Sequence, residues 1–155
     1  MNYLRTYILF FFLFLVSSLF CNNADASLGG SESSVRADRL TLRAQKQRVI
    51  KKEEYSIHEM TLPGRVIREY VLSNGTVFGI TWRGISQPDL SVLLGSYFDE
   101  YEKEYSKTKL KKGSPLLLRS QNLVVQKSGH MRDVRGKAYI PSLLPQGFSA
   151  AEALR

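Results

Sequence analysis

Three β-rich runs joined by two turn dipeptides constrain this chain more than any other feature. Tyr55 to Leu62, Arg65 to Ser73 and Thr76 to Arg83 are rich in Val, Ile, Thr, Tyr and Phe, with Pro63-Gly64 and Asn74-Gly75 between them. Such dipeptides tolerate the positive φ that tight hairpin loops demand. The expectation is a three-stranded antiparallel meander, and two-residue loops set its register by counting. Leu62 faces Arg65, so Met60 faces Ile67 and His58 faces Glu69. Ser73 faces Thr76, so Val71 faces Phe78, Glu69 faces Ile80 and Ile67 faces Trp82. Side chains alternate faces along a strand. Met60, Ile67, Val71, Phe78, Ile80 and Trp82 therefore share one face, with His58 and Glu69 among them. Glu59 and Arg68 face each other on the other side.

The period changes over Pro88 to Tyr105. Leu90, Leu94, Tyr97, Tyr101 and Tyr105 fall on one helical stripe, flanked by Leu93 and Phe98. Ser86 or Asp89 can cap its start, and Pro88 is tolerated in a first turn. Further on, Leu116–Leu118, Leu123–Val125 and Arg135–Ile140 predict more strand, with a turn at Ser128-Gly129 and stops at Pro141 and Pro145. Upstream, Ser33 to Ala44 predicts a short helix, and the basic run from Arg43 to Lys52 reads as a surface connector. There is no internal repeat. The fold class expected is α+β: an antiparallel sheet of about five strands with one amphipathic helix packed on one face.

The first 26 residues have the grammar of a secretory leader. Met1 to Tyr7 carries Arg5, Ile8 to Phe20 is apolar apart from Ser17 and Ser18, and Ala24-Asp25-Ala26 supplies small residues around a cut. The apolar stretch is short for a permanent span. The division expected is a leader over 1–26, an N-terminal extension over 27–52, one domain over 53–147 and a tail over 148–155. Cleavage near Ala26 would leave about 130 residues, enough to bury a core unaided. The expected location is periplasmic or secreted, with membrane contact only through the leader during export. Cys21, the sole cysteine, leaves with the leader, which excludes disulfides, thiolate metal ligands and cysteine nucleophiles. Phe20 stands where lipid attachment at Cys21 would want a small residue, so a lipoprotein is not expected.

Arg5 and Asp25 leave together, so the net charge stays at +8. Excess positive charge favours anionic partners and keeps a surface solvated. Lys107, Lys109, Lys111 and Lys112 form its densest run. An imidazole beside a carboxylate on an apolar face, as at His58 and Glu69, has two readings. It is an acid/base pair, or a buried polar pair that satisfies itself and fixes register. No nucleophile, third member or metal-ligand spacing accompanies it, which favours the second. The other histidine, His130, completes no zinc pattern with His58. Glycine-rich phosphate loops and nucleophile elbows are missing. No metal or cofactor is implied, and an exported protein has little call to bind nucleic acid.

Several blocks in order resemble a known family. They are Val66-Ile67-Arg68-Glu69-Tyr70, Gly75 to Gly84, Pro88 to Phe98, Leu123-Val124-Val125, Ser128-Gly129-His130-Met131-Arg132 and Gly136 to Pro141. Over about Ser27 to Gly147 they are similar to a bacterial family of exported proteins designated domain of unknown function 2844. The resemblance implies a Gram-negative exported protein and supplies no activity, cofactor or catalytic residue. It directs attention to the Gly-His-Met turn, with His130 and Arg132 as binding candidates, against the plainer reading of a hairpin turn with an incidental histidine. The function expected is a non-enzymatic binding or structural module of the cell envelope. Its partner would be an anionic envelope component or another exported protein. Two alternatives stay open: a hydrolase-like enzyme using His58 with Glu69, or His130, as acid/base, and adhesion to anionic envelope polymers through the basic surface.

Overall fold

A computed structural model describes residues 28–31, 45–109, 113–150 and 154. The leader, the helix expected at Ser33 to Ala44 and the end of the Lys107–Lys112 run lie outside these residues. The architecture is α+β, dominated by one antiparallel sheet. Seven strands form it: β1 (Lys46–Lys51), β2 (Tyr55–Leu62), β3 (Arg65–Leu72), β4 (Val77–Gly84), β5 (Leu116–Arg119), β6 (Val124–His130) and β7 (Asp133–Tyr139). Their spatial order is β1-β2-β3-β4-β7-β6-β5. The sheet is thus wider than the five strands expected. Part of the difference is β1, which arises from the basic run read as a connector. It pairs with β2 along its whole length. Lys46, Arg48 and Lys51 lie on this edge, where charged side chains discourage pairing with other chains. That same charge hides the strand from a hydrophobic-pattern reading.

The first hairpin has the register expected. Leu62 pairs with Arg65, His58 with Glu69 and Glu59 with Arg68, and Gly64 takes the positive φ of 71° that the turn requires. The second hairpin departs from expectation at its turn. The Leu72 N–H donates to Thr76 O at 2.9 Å and the Gly75 N–H to Leu72 O at 2.8 Å. The loop is therefore three residues long, with Gly75 at φ 87° and Asn74 Oδ1 accepting from the Thr76 N–H at 3.0 Å. Val71 consequently pairs with Val77, not with Phe78. A bulge then restores the count, so that Tyr70 meets Gly79, Glu69 meets Ile80 and Ile67 meets Trp82. A bulge leaves one residue unpaired and re-aims a side chain. Phe78 therefore leaves the His58–Glu69 face and packs with Tyr70 on the other.

The expected single helix is two. Asp89 caps α1 (Leu90–Leu94) by accepting from the Ser91 N–H at 2.9 Å. Gly95, at φ 47° and ψ −120°, then breaks the helical path. A 3-10 turn over Gly95–Tyr97 leads into α2 (Phe98–Lys107). Leu90, Leu93, Leu94 and Tyr101 are buried against Met60, Ile67, Ile80, Trp82, Val125 and Ala138 of the sheet. Tyr105, last on the expected stripe, is exposed at the end of α2 and stacks on Tyr101 at 5.7 Å. Leu28 closes the same core. It is fully buried, its N–H donates to Leu93 O at 3.0 Å, and Gly29 and Gly30 pair with Val77.

A second, smaller core lies on the opposite face. From the 3-10 turn Pro141–Leu143 onward, the C-terminal segment lays Leu143, Leu144, Phe148 and Leu154 over Tyr55, Ile57, Tyr70, Phe78 and Tyr139. Phe148 meets Tyr55 and Phe78 edge-on, at 5.5 and 5.2 Å, the arrangement that ring quadrupoles prefer. Among the described residues, this segment covers the Asn74-Gly75 end of the face and nothing covers the other half.

Candidate functional site

The structure brings His58 and Glu69 together as the register requires, and it buries both. Glu69 is 0% exposed and His58 5%, on the face that carries Met60, Ile67, Ile80 and Trp82. His58 Nε2 lies 3.2 Å from Ser56 Oγ. Burial of this degree suits a polar pair that fixes strand register. His130 does not join them. It ends β6, exposed, four strand spacings from β2, or roughly 19 Å. Among the described residues, no three His, Cys, Asp or Glu side chains cluster as metal ligands do.

His130 instead belongs to the tip of the β6–β7 hairpin. It pairs with Asp133 across a two-residue loop of Met131 and Arg132. Arg132 is the sole non-glycine at positive φ among the described residues, at 69°. Gly129 takes φ 139°, and a Cβ there would lie 2.2 Å from Asp133 O. The glycine of the Gly-His-Met turn is thus a steric requirement of the hairpin. Met131 and His130 point to solvent. In the lysine run, Lys107 is held by Glu104 at 2.6 Å and Lys109 is exposed beyond α2. Lys111 and Lys112 lie outside the described residues. A different lysine, Lys127, clamps α2 to β6. Its Nζ donates to Tyr101 Oη at 2.8 Å and lies 5.3 Å from the centre of the Tyr105 ring. Burial pushes the Tyr101 phenol up to about 12 and lowers the Lys127 ammonium.

The open half of the second face holds a feature that sequence reading missed. Alternate residues of five adjacent strands form two rows there. One row runs Glu59, Arg68, Thr81, Lys137, Gln126, and the next runs Thr61, Val66, Arg83, Arg135, Ser128. Together they line a groove of about 920 Å³, to which Leu154 also contributes. Arg68, Arg83, Arg135 and Lys137 bring four cations to this face and Glu59 one carboxylate. Glu59 accepts from Arg68 Nε at 2.7 Å, the facing pair that the hairpin count predicts. Arg65 has the parity of Ile67 and turns to the helix side instead, donating to Ser86 Oγ at 2.7 Å. Lys137 Nζ donates to Ala150 O at 3.0 Å, so the C-terminal segment helps to aim it.

Arg83 and Arg135 are direct cross-strand partners. Asp133 lies beside both, accepting from Arg83 Nε at 3.3 Å and from Arg135 Nη2 at 2.7 Å. Hydrogen bonding to Arg135 holds the Asp133 carboxyl below its ordinary value, and the same contact raises Arg135. Both arginines keep donors available to solvent, with side chains 65% and 52% exposed. At the groove floor the Thr81 hydroxyl is buried and hydrogen-bonded to Tyr70, whose phenol is raised by burial. Outward parity of Arg68, Arg83, Arg135 and Lys137 on their strands was a signal available in the sequence. That β7 returns to lie beside β4 was not.

What these features define is an open-faced antiparallel sheet, closed by helices on one side and carrying a basic groove on the other. The chain matches the family described as "Protein of unknown function (DUF2844)" over residues 24–153, and it belongs to that family. No curated protein and no solved structure gives a significant match. No helix among the described residues is long and apolar enough to cross a membrane.

Proposed function

We propose that this protein is an exported, non-enzymatic module of the cell envelope that holds an anionic envelope component on the open half of its sheet. The observation that carries this reading is the face of the groove, where four cations from three neighbouring strands, Arg68, Arg83, Arg135 and Lys137, stand with one carboxylate, Glu59. Guanidinium groups present forked donors that match carboxylates and phosphates. The leader grammar of Met1 to Ala26 supports export. Burial of His58 and Glu69 in the helix-side core, with His130 far away at a hairpin tip, supports binding over hydrolysis.

The test is retention of envelope polymers on the immobilised chain starting at Ser27. Retention should fall as salt is added, because exposed charges are screened within a Debye length. It should also be lost in an Arg83→Glu/Arg135→Glu variant that keeps its melting temperature. Retention indifferent to both would count against the groove. Recovery of an exported form that still carries residues 1–26 would count against the leader reading.

A further inference from the structure

Resting on that reading, we propose that the groove takes a carboxylated polysaccharide, a chain of uronic-acid type laid across β3, β4, β7 and β6. Size is the first consideration. The lining spans four strand spacings, roughly 19 Å, and two residue rows about 7 Å apart. A single inorganic anion would fill one corner of about 920 Å³, which suits a polymer segment or a large ligand.

The pattern of side chains is the second. Cations do not fill the rows; neutral hydrogen-bonding groups share them. Thr81 and Gln126 alternate with Arg68 and Lys137 in one row, and in the next Ser128 stands beside Arg135, with Thr61 beyond Val66 at the other end. Hydroxyls and amides donate and accept, so they match a chain whose charges are spaced by hydroxyl groups. Val66 and Leu154 add apolar patches to the lining. Pyranose rings have C–H faces to lay on such patches, and a bare phosphate polymer has none.

The third is that carboxylates already occupy these guanidiniums. Asp133 bridges Arg83 and Arg135, and Glu59 holds Arg68 at 2.7 Å. A ligand carboxylate would make the same kind of contact through the exposed donors of Arg83 and Arg135. Glu59 then acts as a competitor inside the site. Finally, among the described residues the aromatic rings packed on this face are gathered under the C-terminal segment. The open half therefore offers no stacking platform of the kind that single-stranded nucleic acid uses, and its concave form does not suit a flat bilayer.

The experiment compares polygalacturonate, polyphosphate, neutral dextran and anionic lipid vesicles as probes of the chain from Ser27 onward, by titration calorimetry at fixed ionic strength. Polygalacturonate should bind more tightly than any other probe. Arg83→Ala/Arg135→Ala should weaken it by roughly tenfold or more, for two lost charge-assisted contacts on an exposed face. Glu59→Gln should tighten it, and Lys109→Ala should leave it unchanged. Arg83→Ala alone serves as the second variant if the double one melts early. Polyphosphate or vesicles bound as tightly through the same arginines would overturn the polysaccharide and leave the anion-binding module standing. If no anionic probe binds, both fail.

Discussion

Replacing Gly136 by alanine probes the seam between β4 and β7, where the two halves of the sheet meet. Gly136 is the direct cross-strand partner of Trp82, and the indole occupies the space that a side chain at Gly136 would need. A methyl there would lie 2.2 Å from Trp82 Cζ2 and 2.4 Å from Cε2. Carbon atoms pack at about 3.5–4.0 Å, so ring or strand must yield by roughly 1.3 Å or more. The ring has little freedom to yield, being 3% exposed and packed in the core that holds Met60, Ile67 and Leu116. Overpacking of this kind costs about 1–3 kcal/mol. For a domain of this size, that lowers the melting temperature by roughly 4–12 °C.

The assay is a four-membered cycle of wild type, Gly136→Ala, Trp82→Leu and the double variant, melted by circular dichroism. Leucine at position 82 removes the ring that the methyl would strike, so Gly136→Ala should cost little in that background. The expected coupling is about 1 kcal/mol or more, and additivity within about 0.5 kcal/mol would refute the steric reasoning. Trp82 is the sole tryptophan, so its fluorescence separately reports displacement of the ring in Gly136→Ala. A shifted seam also carries Arg83 and Arg135, the chain neighbours of the two residues. Gly136→Ala should therefore weaken anion binding more than an equally destabilising change elsewhere.

Leu28→Ala supplies that comparison: a fully buried leucine lost from the helix-side core should cost about 2–5 kcal/mol, read by chemical denaturation, with groove affinity kept. His58→Ala should lower the melting temperature by removing the group that faces Glu69 in the same core, while leaving polygalacturonate binding intact; unchanged melting with lost binding would reverse the structural reading of that pair. Asp133 should titrate below 3.8 by carboxyl NMR and move up towards that value in Arg135→Ala. Its folded value is depressed, so its contribution is present above 3.8 and fades as pH falls through the folded value, placing the change on the acid side of 3.8.

The meander was legible because its determinants are local. Turn dipeptides, β-branched runs and strict alternation placed β2, β3 and β4, and the count from Pro63-Gly64 paired His58 with Glu69. The Asn74-Gly75 count failed by one at the loop, because Gly75 and the Asn74 side chain stabilise a three-residue turn that sequence alone does not separate from a two-residue one. It recovered at Phe78, because β3 and β4 must still present Ile67, Glu69, Ile80 and Trp82 to one core. The helix break was hidden in the opposite way: the apolar stripe runs through Gly95 without a gap, and only a backbone with positive φ there reveals two axes. The basic groove was out of reach for a topological reason. Arg68, Arg83, Arg135 and Lys137 come from three strands, and β7 joins β4 by a pairing that no local signal fixes.

That pairing also separates the groove from an ordinary solvated surface. Like charges placed directly opposite on neighbouring strands destabilise a sheet, yet Arg83 faces Arg135 at the seam. Asp133 offsets part of this repulsion with one carboxylate shared between two guanidiniums. Thr81 separates Arg68 from Lys137 in the adjoining row, and the nearest carboxylate there, Glu59, is bound to Arg68. Glutamate at position 83 or 135 would give better cross-strand energetics on stability grounds alone. The opposite face shows what this sheet does when packing decides, filling Met60, Ile67, Ile80, Val125 and Ala138 into one core under two helices. Facing arginines on the half that the described residues leave uncovered are therefore what the proposed anion ligand would account for, and packing would not.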